Sequence, residues 1–219
     1  MPRLRFEKTG NAIYISHLDL MRLFQRTFKR AGLQLKHTQG YNPRPSVSIA
    51  LPLSVGVESR CELLDFELEG ENPNNAEICT RLNQALVAGV KVLDVYDNGA
   101  KLKHLALLEC NVDLEYDNGV PENGAALIAD LFARESLVVE KKGKNGIVDQ
   151  DIIPMIRKIE ILPISNQELR IHAIVCCQNP TLNPMQLAAA IETYLPECKA
   201  DFVSCGRVEV FDTNETIFR

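Results

Sequence analysis

No apolar run in the sequence approaches the roughly 18–20 residues of a membrane-spanning helix. The opening residues, Met1-Pro2-Arg3-Leu4-Arg5-Phe6-Glu7, contain no hydrophobic h-region. Neither a secretory signal nor a membrane partner is therefore expected, and the reading is a cytoplasmic protein. No Cys-x-x-Cys pair occurs. The seven cysteines, Cys61, Cys79, Cys110, Cys176, Cys177, Cys198 and Cys205, are odd in number and lack ligand spacing. They read as reduced thiols packed as small hydrophobes, and no metal or other cofactor is expected. His37, His104 and His172 have no metal-ligand spacing around them. A Walker-type phosphate loop, a dinucleotide fingerprint, a Gly-x-Ser-x-Gly elbow and a His-Glu-x-x-His helix are all missing. With 46% hydrophobic and 24% charged residues the composition is that of a globular chain, which excludes collagen-like and disordered classes.

What is present is a split in charge. The formal net charge of the 219 residues is −5. Residues 1–60 carry ten Lys/Arg (Arg3, Arg5, Lys8, Arg22, Arg26, Lys29, Arg30, Lys36, Arg44, Arg60) against Glu7, Asp19 and Glu58, a net of +7, which leaves −12 for the rest. A basic front and an acidic back suggest a polyanionic partner near the N-terminus.

Hydrophobic periodicity divides the chain into two similar halves. Arg3 to Ile15 reads as a strand with a Thr-Gly-Asn turn inside it. Ser16, three residues before Asp19, reads as a helix cap, and Gly32 as the stop, which predicts a helix over residues 17–31. On that helix Leu20, Met21, Phe24, Phe28 and Ala31 share one arc, and Arg22, Arg26, Lys29 and Arg30 the opposite one. Extended pieces follow at 33–39 and 46–52, separated by Gly40-Tyr41-Asn42-Pro43-Arg44-Pro45, where two prolines forbid a helix. Leu64, Phe66 and Leu68 alternate with Asp65, Glu67 and Glu69, a half-buried strand with an acidic outer face. A helix over about 72–87 and a strand over 90–95 complete the first half. After Asp97-Asn98-Gly99 come a strand at 105–116, a helix at 125–134, a strand at 137–142, irregular chain or a short helical turn at 149–155, a hairpin at 157–162 and 169–177, a helix at 184–195 and a strand at 205–211.

A βαββαβ order packs as a four-stranded antiparallel sheet with both helices on one face. The expectation is an α+β protein of two tandem ferredoxin-like units, residues 1–97 basic and 98–219 acidic. The competing reading is one continuous α+β domain.

Four constellations carry candidate chemistry. The stripe Arg22, Arg26, Lys29 and Arg30 suits a row of phosphates, or is a solvated helix face. In the segment 39–45, Tyr41 suits base stacking and Arg44 an anion, with Gln39 and Asn42 as polar contacts. The same segment also reads as a rigid loop with Tyr41 packed down. His17, Asp19 and Gly40 mark a possible pocket between helix 17–31 and loop 39–46, although His17 and Asp19 diverge on the helix, and Asp19 also reads as a cap paired to Arg22. The basic loop Lys141, Lys142 and Lys144 is a further anion contact or a solvated hairpin tip.

The runs Arg5-Phe6-Glu7-Lys8-Thr9-Gly10 and Ile15-Ser16-His17-Leu18-Asp19-Leu20-Met21-Arg22 carry a family resemblance. It continues through Arg30-Ala31-Gly32-Leu33, Gln39 to Pro45, Leu51-Pro52-Leu53-Ser54-Val55-Gly56 and Asp65. It extends more thinly to Lys141-Lys142-Gly143-Lys144, the 149–156 stretch and Pro184. The chain resembles the radical-SAM-linked proteins, a bacterial domain family of unknown function. The resemblance implies an accessory role beside a radical SAM enzyme as partner, by docking on it or presenting its substrate. The Cys-x-x-x-Cys-x-x-Cys cluster motif of such enzymes is absent here, so no SAM cleavage is expected of this chain, and since the family has no established catalytic residue none is carried over. Where the family often has His, this chain has Arg44, which favours an anion contact; Tyr41 stands in place of a common Phe. Three functions remain open from the sequence: RNA binding (tRNA or rRNA) or substrate presentation, a small-anion binder or enzyme, and a protein-docking module.

Overall fold

The computed structural model describes residues 1–70, 73–143 and 146–219. The described residues form a mixed α+β protein with four α-helices and a mostly antiparallel set of strands. The chain divides into two compact units, Met1–Leu102 with Arg219, and Lys103–Phe218.

The first unit runs β1 (Arg3–Lys8), α1 (His17–Arg30), β2 (Val47–Ile49), β3 (Glu58–Phe66), α2 (Asn75–Ala85) and β4 (Val90–Tyr96). β1 lies between β4 and β3 and is antiparallel to both, and β2 pairs antiparallel with β3. Alternation along β1 sends Leu4, Phe6 and Lys8 to one face. Leu4 and Phe6 join Leu64 and Phe66 of β3 under Leu20, Phe24 and Phe28 of α1 and Ile78 and Leu82 of α2. Phe6 meets Phe24 edge-on with ring centroids 4.7 Å apart, and Phe28 meets Phe66 at 5.0 Å.

The expected strand at 3–15 ends at Lys8 and gives way to a 3-10 turn, Gly10–Tyr14. Lys8 explains the change. It is fully buried and donates from Nζ to the carbonyls of Ile13 (3.0 Å) and Ile15 (2.8 Å), so the chain curls back over the ammonium. A buried cation needs such partners, because without them its desolvation is uncompensated.

The second unit runs β5 (Leu105–Glu115), α3 (Gly124–Phe132), β6 (Val138–Gly143), β7 (Gly146–Asp151), β8 (Ile156–Ser165), β9 (Glu168–Cys176), α4 (Met185–Tyr194) and β10 (Phe202–Asp212). Its sheet has the order β10-β5-β9-β8, antiparallel throughout. β6 and β7 form a separate two-stranded ribbon between α3 and β8. β7 takes residues 149–151 of the stretch expected to be irregular or a short helical turn, and a 3-10 turn, Ile153–Met155, supplies the helical turn after it. Most side chains of β7 are exposed, so burial prints no alternation on its sequence, and its pairing with β6 defines it. Removing that ribbon leaves the element order of the first unit. In both units the first strand lies between the fourth and the third, and the second pairs with the third.

Candidate nucleic-acid interface

Helix α1 starts where Ser16 Oγ accepts from the Asp19 backbone N–H, and Asp19 Oδ2 in turn accepts from the Ser16 hydroxyl at 2.8 Å. It ends in a Schellman turn, with Gly32 N donating to Lys29 O and Leu33 N to Phe28 O. Gly32 supplies the left-handed residue, φ +69°, that the turn requires. The chain then runs extended, Leu35 bridging Leu68 and His37 bridging Pro45. Thr38 N donates to Arg44 O, and Arg44 N to Thr38 Oγ1. These bonds close a loop whose tip, Gln39-Gly40-Tyr41-Asn42-Pro43, is exposed at every residue. Tyr41 is as accessible as in an extended chain, at 102%, so the packed-down alternative for its ring does not hold. Gly40 takes φ +138° there.

The fold sorts the basic front into two groups. Arg3 is buried against Asp65 on β3, with Nε to Oδ1 at 2.6 Å and Nη2 to Oδ2 at 3.2 Å, and Lys8 is buried as described. Asp65 is therefore not part of an exposed acidic face, Glu67 meets Lys36 at 3.5 Å, and Glu69 accepts from Gln34. Arg30 donates to Ala85 O at 2.9 Å, and Arg22 pairs with Asp19 at 3.0 Å. Arg60 pairs with Glu58. The side chains of Arg26, Lys29 and Arg44 are exposed and make no hydrogen bond or salt bridge among the described residues, and neither does that of the half-buried Arg5. Arg26 and Lys29 lie one turn apart on α1, and Arg44 stands at the loop. The displayed positive charge is thus a subset of the sequence count.

A cleft of about 500 Å³ opens beside these residues. It is lined by Gln25 and Lys29 of α1, by Gly32, Leu33, Gln34 and Leu35, and by His37 and Pro45 at the base of the loop. His17, Asp19, Gly40, Asn42 and Arg44 are not among its walls. At about 1.5 Å per residue, His17 stands roughly 18 Å along α1 from Lys29. The expected pocket residues therefore belong to opposite ends of the helix. His17 Nδ1 is buried without a hydrogen-bond partner among the described residues. Asp19 is a cap and ion-pair residue, its carboxyl held below the usual range by the Ser16 hydroxyl and then by Arg22. Gln25, Gln34 and His37 were not singled out in the sequence. Their convergence depends on the His37–Pro45 bridge, which no local pattern announces.

In the second unit Lys141 Nζ donates to Thr181 O at 2.8 Å, so that ammonium is already engaged. Lys142 pairs through its backbone with Ile147, and Lys144 lies outside the described residues. On β5 and β9, His172 lies 2.8 Å from Asn111 Oδ1 and 3.1 Å from Glu109 Oε1, beside a bidentate Arg170–Asp113 pair. Cysteine chemistry is disfavoured there. Burial pushes Cys177 up to about 12 and Cys205 up to about 11, so both are thiols at neutral pH. No cluster of three or more His, Cys, Asp or Glu able to hold a metal occurs among the described residues. No described helix is long and apolar enough to cross a membrane.

Comparisons with known proteins place this geometry. Among curated proteins none matches the chain. In fold it is similar to a chain of a Cbf5-Nop10-Gar1 complex (TM-score 0.53, 10% identity, 97% of this chain and 50% of that one). It is likewise similar to a chain of an H/ACA RNP bound to a substrate RNA containing 2'-deoxyuridine (TM-score 0.51, 11% identity, 99% of this chain and 50% of that one). The protein thus spans half the length of each, and at such identity the likeness is one of fold. Residues 2–184, which include α1, the loop and the cleft, match the model of an uncharacterised protein family conserved in bacteria (DUF2344), and the chain belongs to that family.

Proposed function

We propose that the chain is a non-catalytic RNA-binding protein of two tandem ferredoxin-like units, divided near residues 97–98, that grips RNA through the first. The observation that carries this reading is the fully exposed Tyr41 at the tip of a loop that also bears Arg44, with Arg26 and Lys29 on the neighbouring helix. An unpacked aromatic ring beside uncommitted cations is the combination that binds single strands: bases stack on the ring and phosphates meet the charges. Similarity in fold to a chain of an H/ACA RNP bound to a substrate RNA is compatible with an RNA partner. Gln39 and Asn42 supply polar contacts at the tip, while Arg22, Arg30 and Lys141 contribute less because each already has a partner. A cytoplasmic location and an accessory role toward a radical SAM enzyme complete the proposal. The latter rests on the sequence resemblance alone, since none of the comparisons names such an enzyme. A small-anion site built from His17, Asn42 and Arg44 is not favoured, because none of the three lines the cleft.

A filter-binding salt series against total tRNA and rRNA fragments tests the reading. The three exposed uncommitted cations predict a slope of log affinity against log salt of about −2 for a single-stranded site. Reversing the charge of Arg26 or Lys29 reduces that slope, whereas Arg30→Glu changes it less. Undetectable binding at low salt would sink the proposal.

A further inference from the structure

The cleft between α1 and the 32–45 segment has properties that a merely electrostatic RNA contact does not require. Its floor is apolar, from Leu33, Leu35 and Pro45, and its rim is polar, from Gln25, Lys29, Gln34 and His37. About 500 Å³ falls within the range of small-ligand sites. An apolar floor with amide groups at the edge fits a flat heterocycle better than a bare phosphate, which needs converging donors and little else. The site lies at the base of the loop that carries Tyr41, four residues away along either strand. A strand stacked on Tyr41 can therefore set a neighbouring nucleotide over the cleft.

Gln34, an exposed side chain, is oriented by a single hydrogen bond. Its Nε2 donates to Glu69 Oε2 at 2.7 Å, and an ionised carboxylate only accepts. The amide is thereby held with its nitrogen committed, and Gln34 Oε1 has no partner among the described residues. A carbonyl oxygen held this way selects a donor. Cytosine and adenine present an exocyclic amino group on the Watson–Crick edge, whereas uracil presents a carbonyl at the corresponding position, and two carbonyl oxygens repel.

Resting on the RNA reading, we propose that this cleft is a base-reading subsite for one unpaired nucleotide. Gln34 is its specificity-determining residue, favouring bases with an exocyclic amine over uracil, and Glu69 is the positioning residue that keeps the amide from turning over. Lys29 and His37 at the rim meet the phosphate of the same nucleotide.

Fluorescence anisotropy with labelled ten-nucleotide oligo-C and oligo-U at low salt tests this, since the two pyrimidines stack alike. Oligo-C is expected to bind about fivefold more tightly, the worth of one added hydrogen bond. Gln34→Leu removes the difference by weakening oligo-C while oligo-U stays within about twofold. Glu69→Gln leaves Gln34 in place but lets its amide rotate, and reduces the preference. Tyr41→Ala weakens both oligonucleotides alike. Equal affinities in the unaltered protein, or a preference that survives Gln34→Leu, would overturn the base-reading subsite while leaving RNA binding intact. Failure of every oligonucleotide to bind would overturn RNA binding itself and the subsite with it.

Discussion

The two units repeat one strand order, and each places an arginine–aspartate fork across its first and third strands. In the first unit Arg3 on β1 grips Asp65 on β3; in the second, Asp113 on β5 is gripped by Arg170 on β9. The forks match almost atom for atom, with Nε to Oδ1 at 2.6 Å in both and the second bond at 3.2 or 3.1 Å. Their cover differs. Arg3 and Asp65 side chains are 4% and 15% exposed, against 34% and 20% for Arg170 and Asp113. The same hydrogen-bond geometry therefore has two different consequences, because desolvation, and not the fork, sets how costly a lost partner is.

The largest expected effect follows from that difference. Asp65→Ala leaves a buried guanidinium without its carboxylate and should destabilise the protein by about 3–5 kcal/mol. Asp113→Ala leaves one that water can reach and should cost about 1 kcal/mol. Urea denaturation of both variants decides it. Equal losses would mean that cover is not what separates the forks. The double change Arg3→Met with Asp65→Leu should recover most of the stability lost by Asp65→Ala, since it removes the stranded charge.

A second contrast concerns the two basic loops. The N-terminal loop keeps Tyr41 and Arg44 uncommitted, whereas Lys141 in the C-terminal ribbon is bonded to Thr181 O. Tyr41→Ala should weaken single-stranded RNA binding by about 1–3 kcal/mol, the worth of one stacked base, without moving the thermal midpoint. Lys141→Ala should change affinity much less, and a stability measurement on the same variant registers the lost bond to Thr181. A larger effect on affinity from Lys141 than from Tyr41 would move the contact surface to the second unit.

Helix starts differ as well. Both helices of the first unit are capped by side chains, α1 by Ser16 and α2 by Asn74, and so is α4, where Asn183 Oδ1 accepts from Met185 N and Gln186 Oε1 from Asn183 N, while α3 has no side-chain cap bond. Ser16→Ala should cost about 1 kcal/mol. Hydrogen exchange should accelerate at the Asp19 amide and leave the first turns of α3 and α4 unchanged.

These contrasts also mark how far the sequence could be read. α1 was legible at both ends, because Ser16, Asp19 and Gly32 are local signals with local causes. The alternation at 105–116 gave β5 for the same reason. Arg3 and Lys8 counted as displayed cations because Lys and Arg are seldom buried. Yet Lys8 continues the Leu4-Phe6 face at period two, and that register was the available clue to its burial. The candidate site was half legible. Tyr41 and Arg44 stand out as residue types in a rigid segment, and the α1 stripe follows from helical angle. What remained hidden was which cations the fold neutralises, since Asp65, Ala85 and Glu67 reach Arg3, Arg30 and Lys36 from distant positions in the chain. The cleft was hidden likewise, as its walls meet through long-range bridges.

The smallest expected effect separates two aspartates. Asp19 is held below the usual carboxylate range by the Ser16 hydroxyl and next by Arg22. Asp151 in the second unit is held down by the Leu137 N–H, then by the Ser136 side chain, and also by the Ile153 N–H. Both have folded-state values depressed below the unfolded one. Each therefore contributes stability that is present above the unfolded value of about 3.9 and is lost as pH falls through the folded value. The causes differ in their response to salt. At about 1 M the screening length shrinks to roughly 3 Å, which weakens the exposed Arg22 charge but leaves short hydrogen bonds to hydroxyl and backbone donors in place. Carboxyl titration by NMR at low and high salt should show Asp19 rising part of the way toward its ordinary value while Asp151 stays where it is. Asp19→Asn should correspondingly cost stability only above that acidic window, and the cost should shrink in high salt. A salt-dependent Asp151 together with a salt-independent Asp19 would reverse the assignment, making charge the second unit's device and local hydrogen bonding the first's.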